Sequence, residues 1–115
     1  MANNIAFQPM GPCVLVQPSA ANTQSNVITI TAFSPVQQYS LINTDTSNAV
    51  FIEISASPTF NVAVPTSAGS NVYPVPAFGY QVITGPQVSQ FANVYVRAIS
   101  ASGTPAVYIC PGEGL

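Results

Sequence analysis

Eleven prolines and seven glycines are spread along 115 residues, and short runs rich in β-branched residues fill the gaps between them. Proline inside a helix removes a backbone donor and clashes with the preceding turn. Valine, isoleucine and threonine are stiff at χ1 and suit a pleated surface. Helix signals are therefore poor throughout, and the chain reads as short strands. In NVITITAF (26–33), Ile28, Ile30 and Ala32 share one face while Thr29 and Thr31 share the other, the period-two pattern of a half-buried strand. Further strands are expected at PCVLVQ (12–17), QYSLIN (38–43), AVFIEIS (49–55), FNVAV (60–64), GYQVIT (79–84), ANVYVRAIS (92–100) and AVYIC (106–110), with a short extended piece at Val72–Val75. The segments between them carry turn chemistry: PSAANTQSN, NTDTSN, PTSAGSN, TGPQ and SASGTP.

Strands recurring every ~8–12 residues suggest a sandwich or barrel. The economical architecture is all-β: a small antiparallel two-sheet β-sandwich, jelly-roll-like or immunoglobulin-like. Residues 1–115 form one domain, with residues 1–11 as a candidate extended N-terminal arm. At 48% apolar content, a chain of this length can fill one core. Sheet edges are commonly guarded by lysine, and the chain has none. Pro35, Pro58, Pro65, Pro74, Pro76, Pro86 and Pro105 flank or interrupt the expected strands and take over part of that role, unless partner subunits cover the edges.

Charge is the second constraint. Arg97 is the one basic side chain; Asp45, Glu53 and Glu113 are the acids; histidine is absent. Phosphate contacts need several Lys or Arg, which argues against nucleic acid as a partner and against an anionic membrane surface. No apolar run approaches the ~18 residues of a spanning helix. The N-terminal MANNIAFQPMG has neither a positive n-region nor a long apolar h-region, so no secretory signal is expected. A surface of Asn, Gln, Ser and Thr with a net charge of −2 repels other molecules weakly and favours association.

Reactive constellations are missing by residue type. With no histidine or lysine, a serine nucleophile has no base. Asp45 and Glu53 offer a carboxylate pair of the kind glycosidases use, but no tryptophan platform accompanies them. A non-enzyme without cofactors is expected. Two cysteines are too few for a zinc site, and NTDTSN lacks the spaced acids of a calcium loop, so it reads as a polar hairpin loop. Cys13 and Cys110 lie near opposite ends of the chain. Two buried thiols in a reducing cytoplasm are the preferred reading, with a bridge between first and last strands as the alternative. In AVFIEIS, Glu53 shares a face with Phe51; in NVYVRAIS, Arg97 shares a face with Tyr95. If those strands are neighbours, Glu53 and Arg97 pair across the sheet and set its register; the alternative is that Arg97 reaches a partner.

Three stretches carry a family resemblance: QYSLINTDTSNAVFIEIS, VYPVPAFGYQVITGP and VYVRAISASGTPAVYICPGEGL. The first is a strand–polar loop–strand unit with Asn43 before the turn and Val50, Phe51 and Ile52 after it. The second is a proline-marked loop leading into a strand. The third is a closing hairpin with a Pro-Gly-Glu-Gly terminus. In these the chain resembles the small capsid decoration, or cement, proteins of tailed bacteriophage virions, and FQPMGPCVLV is compatible with their opening strand. It departs from their pattern at Cys110 and Arg97. The resemblance implies a β-sandwich on the capsid surface of the virion, made in the host cytoplasm, that bridges subunits of the major capsid protein and associates with itself as a homotrimer, or else a dimer. The competing reading is a receptor- or glycan-binding module of a tail fibre or spike, with Tyr73, Phe78 and Tyr80 as loop aromatics that contact the ligand.

Overall fold

The computed structural model describes residues 8–9, 11–31, 36–67, 69, 71–88 and 92–113. Nine strands follow in order: β1 (Gln8–Pro9), β2 (Val14–Val16), β3 (Ile28–Thr31), β4 (Val36–Asn43), β5 (Val50–Ser55), β6 (Tyr73–Val75), β7 (Tyr80–Val88), β8 (Asn93–Ile99) and β9 (Val107–Glu113). All pairings are antiparallel. One sheet, called the front sheet below, runs β1-β9-β4-β7, with β2 also on β9; the back sheet runs β3-β8-β5-β6.

Both β1 and β2 pair only with β9, Gln8 opposite Glu113 and Val14 opposite Ile109. They are two pieces of one interrupted edge strand. Counted so, eight strands take the orders 1-8-3-6 and 2-7-4-5. Every connection except β5–β6 carries the chain from one sheet to the other. This is jelly-roll connectivity, which decides between the two sandwich types the sequence left open. Pro111, within β9, falls beside the interruption between β1 and β2, where a missing donor costs no ladder bond on that side. Pro74 and Pro86 sit in the edge strands β6 and β7. Ala32 and Pro35 lie outside the described residues, as does the proposed arm apart from Gln8, Pro9 and Gly11.

The alternation read from the sequence places the core. Val50, Ile52 and Ile54 of β5 and Val94, Val96 and Ala98 of β8 point inward, against Leu41, Val107, Ile109 and Val16 of the front sheet. Truncating a fully buried residue such as Ile52 or Leu41 to alanine costs about 2–5 kcal/mol in sites of this kind. Tyr39 is also fully buried, and its hydroxyl donates to the Pro86 carbonyl. The register of β4 on β7 slips between Val36 and Gln38, a bulge that spans Gly85 and Pro86. A Cβ at Gly85 would stand 2.9 Å from the Tyr39 ring, so the aromatic packs where only glycine leaves room.

Two expectations need correction. FNVAV (60–64) is not a strand. It belongs to the connection between β5 and β6, whose residues 60–62 lie over the outer face of the back sheet, and the Val62 amide donates to the Gln24 side chain (2.9 Å) instead of a ladder partner. Val62 itself is buried, so alternation here reflects packing onto a face already built. NTDTSN is not a hairpin loop either: β4 lies in the front sheet and β5 in the back, so it turns a corner between sheets.

Candidate functional site

The corner 44–49 is organised by two side chains. Asn43 ends β4 with only 1% of its surface exposed. Its Oδ1 accepts from the Asp45 amide (3.0 Å), and its Nδ2 lies within hydrogen-bond distance of the carbonyls of Asn48 (3.0 Å), Pro76 (3.1 Å) and Val75 (3.3 Å). Asp45 Oδ1 accepts from the amides of Ser47 (2.7 Å) and Asn48 (2.8 Å), and those bonds hold its carboxyl below the usual carboxylate range. Asn43 Oδ1 and Asp45 Oδ1 thus accept from backbone donors, and Asp45 Oδ2 faces the Asn48 side-chain amide, an arrangement suited to a turn. Among the described residues no cluster of His, Cys, Asp or Glu is placed to hold a metal.

The same corner pins the turn 76–79. Gly79 donates to the Pro76 carbonyl (2.8 Å), Phe78 donates to the Asp45 carbonyl (3.0 Å), and Asn43 donates to the Gly79 carbonyl (2.9 Å). Phe78 occupies the left-handed region at φ 57° and is 72% exposed. A bulky residue is strained there by about 1–3 kcal/mol. The turn holds an aromatic ring out in solvent against that cost. Ala106 accepts from the amide and hydroxyl of Thr44 (3.0 and 2.9 Å), and Ser100 Oγ donates to the Ala49 carbonyl (2.7 Å), so the connection 100–106 braces the corner from the other side.

The outer face of the front sheet holds a second feature. Leu15 pairs with Tyr108, Tyr108 with Ile42, and Ile42 with Tyr80. These four residues form one straight row across β2, β9, β4 and β7, and they are 46%, 46%, 41% and 57% exposed. The next row along the strands runs from Cys13 through Cys110 and Ser40 to Val82. The two cysteines are joined by a disulfide with a Cα–Cα distance of 4.2 Å, the close spacing of a non-hydrogen-bonded cross-strand pair. This replaces the expectation of two buried thiols; both point outward from the front sheet, Cys13 exposed beside the edge strand β2 and Cys110 half-buried in β9 between β2 and β4.

Of the three loop aromatics singled out in the sequence, Phe78 and Tyr80 belong to this end of the front sheet. Tyr73 does not: it starts β6, and its hydroxyl donates to the Thr84 carbonyl of β7 (3.0 Å), closing the side of the sandwich. Glu53 and Arg97 are direct partners in the β5–β8 register on the outer face of the back sheet. No ion pair joins them. Arg97 Nη1 donates to Asn61 Oδ1 (3.3 Å), its guanidinium lies 6.0 Å from the Phe60 ring centroid, and its Nε is buried without a partner. Burial pushes the Glu53 carboxyl up. Glu53 lines a depression of about 400 Å³ with Ile54, Asn71, Val72 and Tyr73. The other acid of the candidate pair, Asp45, is committed to the corner 44–49, so among the described residues Glu53 is the one carboxylate lining the depression.

No family model matches the chain, and no curated protein does. Among solved structures it is similar to PirA, with a TM-score of 0.45 and 14% identity over 90% of this chain and 94% of that one. It is also similar to a family 6 carbohydrate-binding module, with a TM-score of 0.36 and 9% identity over 94% and 93% of the two chains. The carbohydrate-binding module CBM6cm-2 of Cellvibrio mixtus lichenase 5A gives a TM-score of 0.35 and 12% identity over 97% and 93%. Similarity at this level assigns no function.

Proposed function

We propose that this jelly roll is a non-enzymatic structural protein of a bacteriophage virion that decorates the capsid and bridges its subunits. The observation that carries the reading is Phe78: an exposed aromatic held in a strained conformation by three backbone hydrogen bonds at a braced corner. Strain maintained at an exposed position is a signature of a contact residue, and aromatics anchored on rigid turns act as hot spots in protein interfaces. The near absence of charge supports attachment by fit, since neutral faces of many identical subunits dock without repulsion. Binding to the assembled shell and not to free subunits stabilises the shell by mass action. Jelly rolls serve in capsids and in lectins alike, so the fold supports the class of scaffold and leaves the choice of role to the surface.

Co-sedimentation with capsids stripped of the protein tests this. Wild type should pellet with the shells and stay bound in molar salt; Phe78→Ser should remain folded and fail to bind. Release by salt while the protein stays folded, or normal binding of Phe78→Ser, would refute the proposal.

A second reading rests on Phe78 and Tyr80 together, two exposed rings two residues apart that could stack on a sugar. Retention on immobilised glycans in the absence of capsid, lost in both Phe78→Ser and Tyr80→Ser, would favour it.

A further inference from the structure

We infer that the outer face of the front sheet is a self-association surface whose partner is the same face of a second copy of this chain. The row Leu15–Tyr108–Ile42–Tyr80 crosses the sheet from edge to edge, and Val82, 40% exposed, extends it at the β7 side. Such a row is not the usual outer face of an antiparallel sheet, where polar residues alternate with the core positions. The back sheet differs: the chain's own residues 60–62 lie over its outer face, where Val62 is buried and Arg97 meets Asn61 and Phe60.

The chemistry of the face selects the partner. Alongside the apolar row stand Gln38, Thr84 and the disulfide, with Ser40 buried among them, and no carboxylate, ammonium or guanidinium at any of these positions. A charged partner gains nothing there. A second copy presents a face of the same width, the same apolar row and no charge to repel, which is what an isologous twofold contact requires. Two such sheets pack ~10 Å apart with interdigitated side chains.

The area sets the strength. Four strands ~4.8 Å apart, paired over three to six residues, present at most about 400 Å² per copy. Two copies bury about 800 Å², half of the ~1,600 Å² of a standard specific interface. The contact is therefore a reversible dimer that fills at high local concentration, as on a surface carrying many copies, where weak contacts add by avidity. Phe78, in the turn beyond the end of the row, is a separate element, so the dimer can hold or fail independently of the attachment reading.

Sedimentation velocity on the full chain, from micromolar to millimolar concentration, reads this directly. Wild type should move from monomer to dimer across the range, with no weakening in molar salt. Tyr108→Ser and Leu15→Thr, which strip apolar surface without adding charge, should each raise the dissociation constant roughly tenfold. Ile42→Glu should abolish dimerisation. Phe78→Ser should dimerise like wild type even where it no longer binds capsids. Circular dichroism melts identify any variant that fails to fold, and amide exchange in wild type supplies a mutation-free measure: protection of Ile42 and Tyr108 should rise with concentration. A wild type that stays monomeric at millimolar concentration, or a dimer indifferent to Tyr108→Ser and Leu15→Thr, overturns the inference.

Discussion

Glu53 and Arg97 stand opposite each other on β5 and β8, yet the guanidinium turns away from the carboxylate toward Asn61 and Phe60 of the overlying segment. The two are register partners without making the ion pair their chemistry would suggest. Arg97 fastens the segment at Phe60 and Asn61, and Glu53 is left partly desolvated with its carboxyl pushed up. Arg97→Ala should cost about 1 kcal/mol, the scale of a cation–π contact with a charge-assisted hydrogen bond at a half-exposed site. It should speed limited proteolysis between Pro58 and Pro65. Arg97→Lys should restore little, because a lysine has no planar fork to lie beside Phe60 while bonding Asn61.

Glu53 gives an acid-range prediction with a definite sign. Its folded pKa lies above the unfolded value, so its contribution is fully present below the unfolded value and is lost as pH rises through the folded one. Glu53→Gln removes that loss. Urea melts should show Glu53→Gln gaining on wild type as pH rises from the acid range to neutrality, and matching it at the acid end. A wild type that gains on the variant with rising pH would mean that Arg97 neutralises Glu53 after all.

Asn43 is the joint on which the corner turns. Replacing it with alanine leaves the Pro76 and Val75 carbonyls without that donor in a buried setting and unties the Asp45 amide. The expected cost in denaturant unfolding is about 2–4 kcal/mol. Asn43→Asp keeps the acceptor for the Asp45 amide but places a carboxylate against three carbonyls, so it should not rescue the loss.

How much of this was legible beforehand depends on whether a feature lives along one strand or between strands. The inward residues of β5 and β8 follow from alternation, and so does the shared face that makes Glu53 and Arg97 partners once the strands are neighbours. The row Leu15–Tyr108–Ile42–Tyr80 was not legible, because its members are scattered between positions 15 and 108 and meet only through the order β2-β9-β4-β7. FNVAV shows the converse, a good strand pattern that takes its hydrogen bonds from Gln24 because β5 already pairs with β8 and β6. Nothing in a phenylalanine announces a left-handed backbone, so Phe78 could be named as an aromatic but not as a strained one. The cysteines were misjudged on compartment, when the deciding fact was register: Val14 opposite Ile109 sets Cys13 opposite Cys110.

Phe78 should trade stability against binding. Asparagine tolerates the left-handed region better than any other residue but glycine, and little apolar surface is given up at a position 72% exposed. Phe78→Asn should therefore raise stability by about 0.5–1 kcal/mol while weakening attachment. A variant that loses stability would show that the ring is packed and not presented.

The disulfide ties the first strands to the last across a sequence separation of 97. By the chain-entropy model such a link contributes about 4–5 kcal/mol. Because Cys13 is exposed, reductant should reach it in the folded protein, and the melting temperature should fall on reduction or in Cys13→Ser with Cys110→Ser. Intact mass without reductant should be lower by two hydrogens. Structural disulfides persist in oxidising surroundings, so this stabilisation is available only where the bond can form.

Tyr39 makes the alkaline limb of the stability profile predictable. Burial pushes its hydroxyl up to about 12, above the ordinary tyrosine value near 10. The neutral phenol that donates to Pro86 is favoured in the folded state, so its contribution is complete below about pH 10 and is lost as pH rises toward 12. Wild type should hold its stability to about pH 10 and then lose it more steeply than Tyr39→Phe, whose ring cannot ionise. At neutral pH the order reverses, because Tyr39→Phe forfeits the hydrogen bond to Pro86, worth about 1 kcal/mol. Gly85→Ala, which presses a methyl group onto the same ring, should destabilise at every pH and leave the shape of the profile unchanged. Curves that fail to cross would mean that the buried ring, and not its hydroxyl, is all that Tyr39 supplies.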